Sequence, residues 1–303
     1  MIPAWLLLGS GLGALCWRPP WLGDGRAPRA AVATLMAAAA AVWVGSFAVL
    51  VNLIAAGADG VLAACDALWR QLLQGNLAWW QTAAMAIWAV ALPVRGSVAG
   101  LSATRRSRRL LRAMTAVATG PVAGERRALL IPGLSTPAVS LGITRPVVLL
   151  DAAFWEAAAE HERDIVIAHE NGHRRGRHAL LDVASRLLAG GLSPLPGAAS
   201  AQQSIRRHLE ALADDAAARR HDRRTVGMVI ARIALSSKPA AGLGAAGACP
   251  WRVRRLVAER ARPSWRDRLA AGGGGLALAV MLLVVAADAA ALLGPFWGKF
   301  CPL

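Results

Sequence analysis

His169, Glu170 and His173 are the residues whose types and spacing can do chemistry, in the run His169-Glu170-Asn171-Gly172-His173. On a helix, positions i and i+4 share one face. Both imidazoles can therefore point at one metal ion. Glu170 follows the first ligand and can reach a water held on that metal. This is the H-E-x-x-H pattern, in which two histidines bind zinc and the glutamate acts as general base. The lead-in Asp164-Ile165-Val166-Ile167-Ala168 suits a helix, predicted over Glu160 to Arg175. Read alone, the motif is also compatible with two solvated histidines on a basic helix, so context must decide.

That context lies downstream. Arg206 to Ala217 has strong helix-forming composition. Glu210 and Asp214 stand one turn apart on one of its faces. Glu210 would complete a His2Glu ligand set and leave the fourth position for water. Asp214 would orient a ligand histidine through its second ring nitrogen. Alone, the pair would read as a solvated acidic face. His208 is the rival third ligand, but two residues from Glu210 it faces elsewhere. The expected cofactor is one Zn2+ per chain. No oxyanion stabiliser stands out; His208, His221 and nearby arginines are candidates.

The elements that must carry these residues are preceded by strands. Ala128-Leu129-Leu130-Ile131 is one, ended by Pro132-Gly133. Pro137 to Leu141 and Val147 to Leu150 are two more, joined through Gly142 to Pro146 as a hairpin. Asp151 is a fair N-cap for a helix through Phe154 and Trp155. An edge strand before a zinc helix can take an extended peptide by strand addition.

The rest of the chain is unusually apolar. Its 303 residues are 56% hydrophobic with mean hydropathy +0.43, yet the net charge is +16. Apolarity and charge are segregated along the chain, which predicts a multi-pass membrane protein with a basic cytoplasmic part. Three N-terminal spans are expected, at about 2–17, 30–56 and 77–94, forming a membrane domain over 1–99. A polar peptidase domain follows over 100–270. The region 271–303 holds a last span, Leu276 to Leu293, with Asp288 as its one charge, and a short outer tail. Leu180 to Leu195 is apolar but interrupted, and reads equally as a membrane-lying helix or a buried core helix.

Arg95, Arg105, Arg106, Arg108, Arg109 and Arg112 follow the third span and fix the orientation, since positive charge stays in the cytoplasm. The basic loop Arg18 to Arg29 is then inside, and the loop holding Asp59 and Asp66 outside. The arginine runs here, at Arg219 to Arg224 and at Arg252 to Arg268 read as faces near acidic lipid; direct nucleic-acid binding is disfavoured for a tethered chain. Cys65 and Cys301 would both lie outside, where a bridge between them can persist. Cys249 should stay reduced and Cys16 buried. No cysteine spacing indicates a metal site. Richness in Ala, Arg and Gly, with two Lys and no Tyr, is the composition of a GC-rich bacterial genome.

Taken together, the hairpin from Thr136 to Leu150, the run His169 to Arg177 and the pair Glu210 and Asp214 resemble the BlaR/MecR-type membrane metallopeptidases. The chain is more distantly similar to the HtpX and Ste24 membrane proteases. The resemblance implies a mainly α, multi-pass membrane protein with a gluzincin-like zinc peptidase domain and a small sheet before the motif helix. It implies Glu170 as base and His169, His173 and Glu210 as zinc ligands. Three departures stand out. Asn171-Gly172 replaces an apolar residue and Ala at the motif's centre. His178 stands where the family often has Asp. The chain from Met1 to Leu303 has no room for the extracellular penicillin-binding domain of the family's antibiotic sensors. The expected activity is endopeptidase cleavage of a protein at the cytoplasmic side of the plasma membrane. The substrate could be a transcriptional repressor, which makes the protein a signalling component, or damaged membrane protein, which makes it a quality-control protease. A catalytically silent membrane scaffold is the alternative of another class.

Overall fold

The computed structural model describes residues 2–16, 25–55, 79–193, 195, 197–236 and 249–258, with the single positions 283 and 287. The Asp59/Asp66 loop, the Gly/Ala-rich stretch 240–248, the last span with Asp288, and Cys65 and Cys301 lie outside the described residues.

Two apolar helices open the chain: α1, Ile2–Cys16, and α2, Pro28–Ala55. Pro28 starts α2, where its missing N–H costs nothing. Among the described residues α2 alone is long and apolar enough to cross a membrane, over Pro28–Ala48 with mean hydropathy 1.8. At 15 residues, α1 reaches about 22 Å, short of the roughly 30 Å hydrocarbon layer. It lies tightly on α2, because a Cβ on Gly11 would meet Ala38 O at 2.8 Å. Cys16 is exposed rather than buried; Leu15 takes the inward position at the end of α1.

Helix α3, Trp79–Ala116, contains the expected third span from Trp79 onward and runs well beyond it. It does not stop at Val94. It is one helix of 38 residues that continues past Arg95 and carries the whole arginine cluster. The residues after Arg95 contain no second proline, and arginine is a good helix former. The expected boundary between 99 and 100 therefore falls inside a helix. Ile87, Val90, Val94, Val98 and Leu101 are exposed along α3. Their spacing of three and four places them on one apolar face, unpartnered among the described residues.

A four-stranded sheet follows: β1 Gly120–Val122, β2 Glu125–Ile131, β3 Ala138–Leu141 and β4 Val147–Asp151, in the order β1-β2-β4-β3. β3 and β4 form the expected antiparallel hairpin, with Ala138 opposite Leu150 and Leu141 opposite Val147. The parallel pairing of β2 with β4 and the short β1 had no clear sequence signal. Gly142 turns the hairpin at φ +103, where a Cβ would also strike Arg145 O at 2.8 Å. Asp151 accepts from the N–H groups of Phe154 and Leu134, each at 2.9 Å. It thereby caps α4, Ala152–Ala157.

The motif helix α5 runs over Glu160–Arg175, as predicted. Then come α6, His178–Leu192; α7, Ala198–Ala217; α8, Arg223–Ser236; and α9, Cys249–Val257. The Leu180 segment is α6, whose inner face is core: Ala189 and Leu192 are buried. Trp43 of α2 donates its indole N–H to Leu188 O at 3.0 Å. One apolar cluster joins α1, α2, α3, α6 and α7 through Leu15, Leu35, Val42, Leu92, Leu192 and Ile205. A second joins the sheet to α5, α8 and α9 through Leu150, Ile165, Val226 and Leu256. The apolar N-terminal helices are thus packed directly on α7, the helix that carries Glu210.

Candidate metal centre

The two site helices approach more closely than ordinary side chains permit. A Cβ on Gly172 would meet Ala216 Cβ at 2.8 Å and Ala213 Cα at 3.0 Å. Small residues on both sides of this crossing let α5 and α7 place their polar faces together, and α7 brings Glu210 over the two histidines.

His169 Nε2 and His173 Nε2 are 3.2 Å apart. Glu210 Oε2 is 3.6 Å from the first and Oε1 is 3.4 Å from the second. Zinc bonds of about 2.0–2.1 Å in a tetrahedron set neighbouring ligand atoms roughly 3.3 Å apart. These three side chains form a group that could hold one metal ion. His208, the rival ligand, is fully buried with its ring edge-on to Trp251. Neither it nor His221 lines the site cavity, so both are withdrawn as oxyanion candidates.

Asp214 is fully buried, and its Oδ1 lies 3.1 Å from Nδ1 of His169. It therefore faces the second ring nitrogen of a ligand candidate. Arg252 on α9, expected on a basic face near acidic lipid, instead turns inward and completes the arrangement. Its Nε and Nη2 donate to the two Asp214 oxygens at 2.9 and 2.6 Å. Its Nη1 lies 3.0 Å from Glu210 Oε2. A buried carboxylate needs such a partner, and this one comes from 38 residues further along.

The environment sorts the protons. Burial disfavours a charged His169, but Asp214 and Glu210 outweigh it and push the imidazole up to about 10. Burial holds His173 neutral, lowered to about 3. Burial works against the Glu210 and Asp214 carboxylates too, yet His169 and Arg252 keep both well below the usual range. Glu170 is pushed up to about 7, chiefly by burial, with His169 and the Ser140 N–H opposing. A carboxyl poised near neutrality suits a general base.

Ser140 sits on β3, the sheet edge that faces the site. Its N–H points to Glu170, away from β4. A cavity of about 830 Å³ runs between this edge and α8, over the His169, His173 and Glu210 side chains. Its far wall is apolar, formed by Val226, Val229, Ile230 and Ile233.

His178 is the second residue whose role the sequence left open. Arg177, in a left-handed conformation at φ 51, turns the chain sharply after α5. The turn returns His178 to the motif, where its Nδ1 lies 2.9 Å from His173 Nδ1. Each of the two candidate ligand histidines thus has a side chain beside its second ring nitrogen: Asp214 at 3.1 Å for His169 and His178 at 2.9 Å for His173.

Comparison of the chain with protein-family models, with curated proteins and with solved structures finds no match in any of the three. The site's own geometry therefore carries the functional argument.

Proposed function

We propose that the protein is a zinc-dependent endopeptidase of the membrane, acting on a protein substrate at the cytoplasmic face. The observation that carries this reading is the convergence of His169, His173 and Glu210 at tetrahedral spacing beside a buried Glu170 whose carboxyl is held near neutrality. Borderline-soft imidazole ligands with one carboxylate suit zinc among the divalent metals. When bound, zinc supplies Lewis-acid polarisation of a carbonyl and a nucleophile at neutral pH.

The chain's own residues do the remainder. The free edge of β3 takes an extended peptide as an added strand, and the apolar wall of α8 accepts its apolar side chains. Glu170 takes up a proton from water on its carboxylate and returns it to the leaving nitrogen. Asp214 and His178 hold the two imidazoles in orientation. Arg252 holds Asp214 and Glu210 and remains cationic.

Membrane placement rests on α2 and on the apolar face of α3. The arginines from Arg95 to Arg112 then mark the cytoplasmic end. The resemblance to BlaR/MecR-type peptidases agrees with this arrangement and favours regulatory cleavage, such as that of a repressor. The test is cleavage of an unstructured protein such as casein by the detergent-purified chain beside Glu170→Gln. Cleavage that disappears in the variant while zinc is retained supports the reading. Equal cleavage by both proteins contradicts it.

A further inference from the structure

Helix α5 has a second cavity behind it. His169, Glu170 and His173 face the site; Ala168, Asn171, Gly172 and Arg175 face the other way, into a space of about 850 Å³. Four arginines border it from three parts of the chain: Arg29 at the start of α2, Arg175 in the last turn of α5, and Arg219 and Arg220 just after α7. None of the four makes an ion pair with a carboxylate among the described residues, and all four are exposed. The one acid on the wall, Asp215, is already taken up by Arg223 and by Arg255, at 3.3 and 2.5 Å. The cavity is therefore strongly cationic. The start of α2 adds the amides of Arg29 and Ala30, which have no partner within the helix, and the positive end of a long helix dipole.

An independent observation points the same way. His178 is only 5% exposed and lies on the wall of this cavity. Its Nδ1 is engaged by His173, while its Nε2 has no hydrogen-bond partner among the described residues. That nitrogen stands over Gly176, also on the cavity wall, where a Cβ would come within 2.3 Å of it. The glycine leaves Nε2 uncovered. The cavity, its arginines and this uncovered nitrogen stand whether or not the neighbouring site holds a metal.

We infer that this cavity is a binding site for a phosphate-type anion, either free phosphate or the headgroup of an anionic phospholipid. Arginine forks and exposed amides are the donors such a group takes. The cavity is larger than inorganic phosphate needs. It opens at the start of the apolar α2, where a headgroup would sit if α2 enters the bilayer. His178 links an anion here to His173, and so to the candidate metal centre.

The experiment is calorimetric titration of the metal-free, detergent-purified chain at low salt, so that the anion does not report on metal. The probes are inorganic phosphate and short-chain phosphatidylglycerol. The expected result is saturable binding near one per chain, weakened on the order of tenfold by Arg175→Gln with Arg220→Gln. Arg108→Gln with Arg109→Gln, on the exposed part of α3, should leave it unchanged. Tighter binding of phosphatidylglycerol than of phosphate assigns the site to lipid, and the reverse assigns it to a soluble anion. Arg29→Gln provides the same reading should the first pair fail to fold by circular dichroism. Absence of binding by both probes, or equal weakening by the α3 pair, overturns the site. Binding by a chain that takes up no zinc would uphold this site while the metal reading fell.

Discussion

Arg252 grips the buried Asp214 with two nitrogens, at 2.6 and 2.9 Å, and reaches Glu210 with its third, at 3.0 Å. One guanidinium from α9 thus fixes both acidic residues of the candidate site. Removing one partner of a buried ion pair leaves an uncompensated charge and costs about 3 kcal/mol or more. Arg252→Ala is expected to lower the thermal midpoint of the metal-free protein markedly, while Arg254→Ala, on the same helix, should not. Equal midpoints for the two variants would show that Asp214 does not depend on Arg252.

Gly172 gives the second prediction. In an isolated helix Ala is preferred to Gly by about 1 kcal/mol. Here the added Cβ would press on Ala216 and Ala213 at 2.8 and 3.0 Å, which overpacks the crossing at a cost of about 1–3 kcal/mol. Gly172→Ala should therefore destabilise the fold and weaken metal binding together, because the same crossing sets the distance from Glu210 to the histidines. A chain made more stable by the substitution would refute the close crossing.

The raised His169 makes metal uptake a proton exchange. A histidine lifted from 6.5 to about 10 contributes stability that is full below pH 6.5. That contribution is lost as pH rises through 10. The metal-free chain should be less stable at pH 10 than at pH 7. At pH 8, where His173 is neutral and Glu170 mostly ionised, zinc must displace the His169 proton. Titration in buffers of different ionisation enthalpy should give about one proton released per zinc. Asp214→Asn should bring the release close to zero. No release from the wild type would mean that Asp214 does not charge this imidazole.

Much of the site was legible in the sequence, because its parts are local. His169, Glu170 and His173 lie within one helical turn, as do Glu210 and Asp214, and α5 has the predicted bounds. The β3/β4 hairpin was legible for the same reason. Arg252 and Ser140 were not, since their roles arise only when α9 and a sheet edge are brought to α5. His178 was visible as a departure, but its contact with His173 depends on the left-handed turn at Arg177, for which an arginine gives no signal. The oddity of Gly172 was readable; which surface lies beneath it, that of α7, was not. That the helix of the third span would run on past Arg95 was not legible, because a change of charge need not end a helix.

The exposed face of α3 predicts where lipid lies. Val90, Val94 and Val98 are 63, 56 and 62% exposed, and such an apolar ridge on a monomer marks a membrane or partner surface. A lipid-soluble carbene reagent, applied to the chain in vesicles, should label peptides spanning these positions and spare the sheet β1 to β4. Labelling of the sheet with α3 spared would contradict the membrane placement.

Glu170→Gln separates base from ligand. A positioned general base contributes about 10²–10⁴ in rate, so turnover should fall by that order while zinc content and fold are kept. A parallel loss of zinc would place Glu170 among the ligands instead.

The most direct test is metal content by elemental analysis of the detergent-purified chain, wild type beside His173→Ala and Glu210→Ala. The expected result is about one zinc per chain in the wild type, lost in both variants while their helical content persists. A wild type that holds no zinc after reconstitution, or variants that hold as much as the wild type, would contradict a metal centre built from His169, His173 and Glu210.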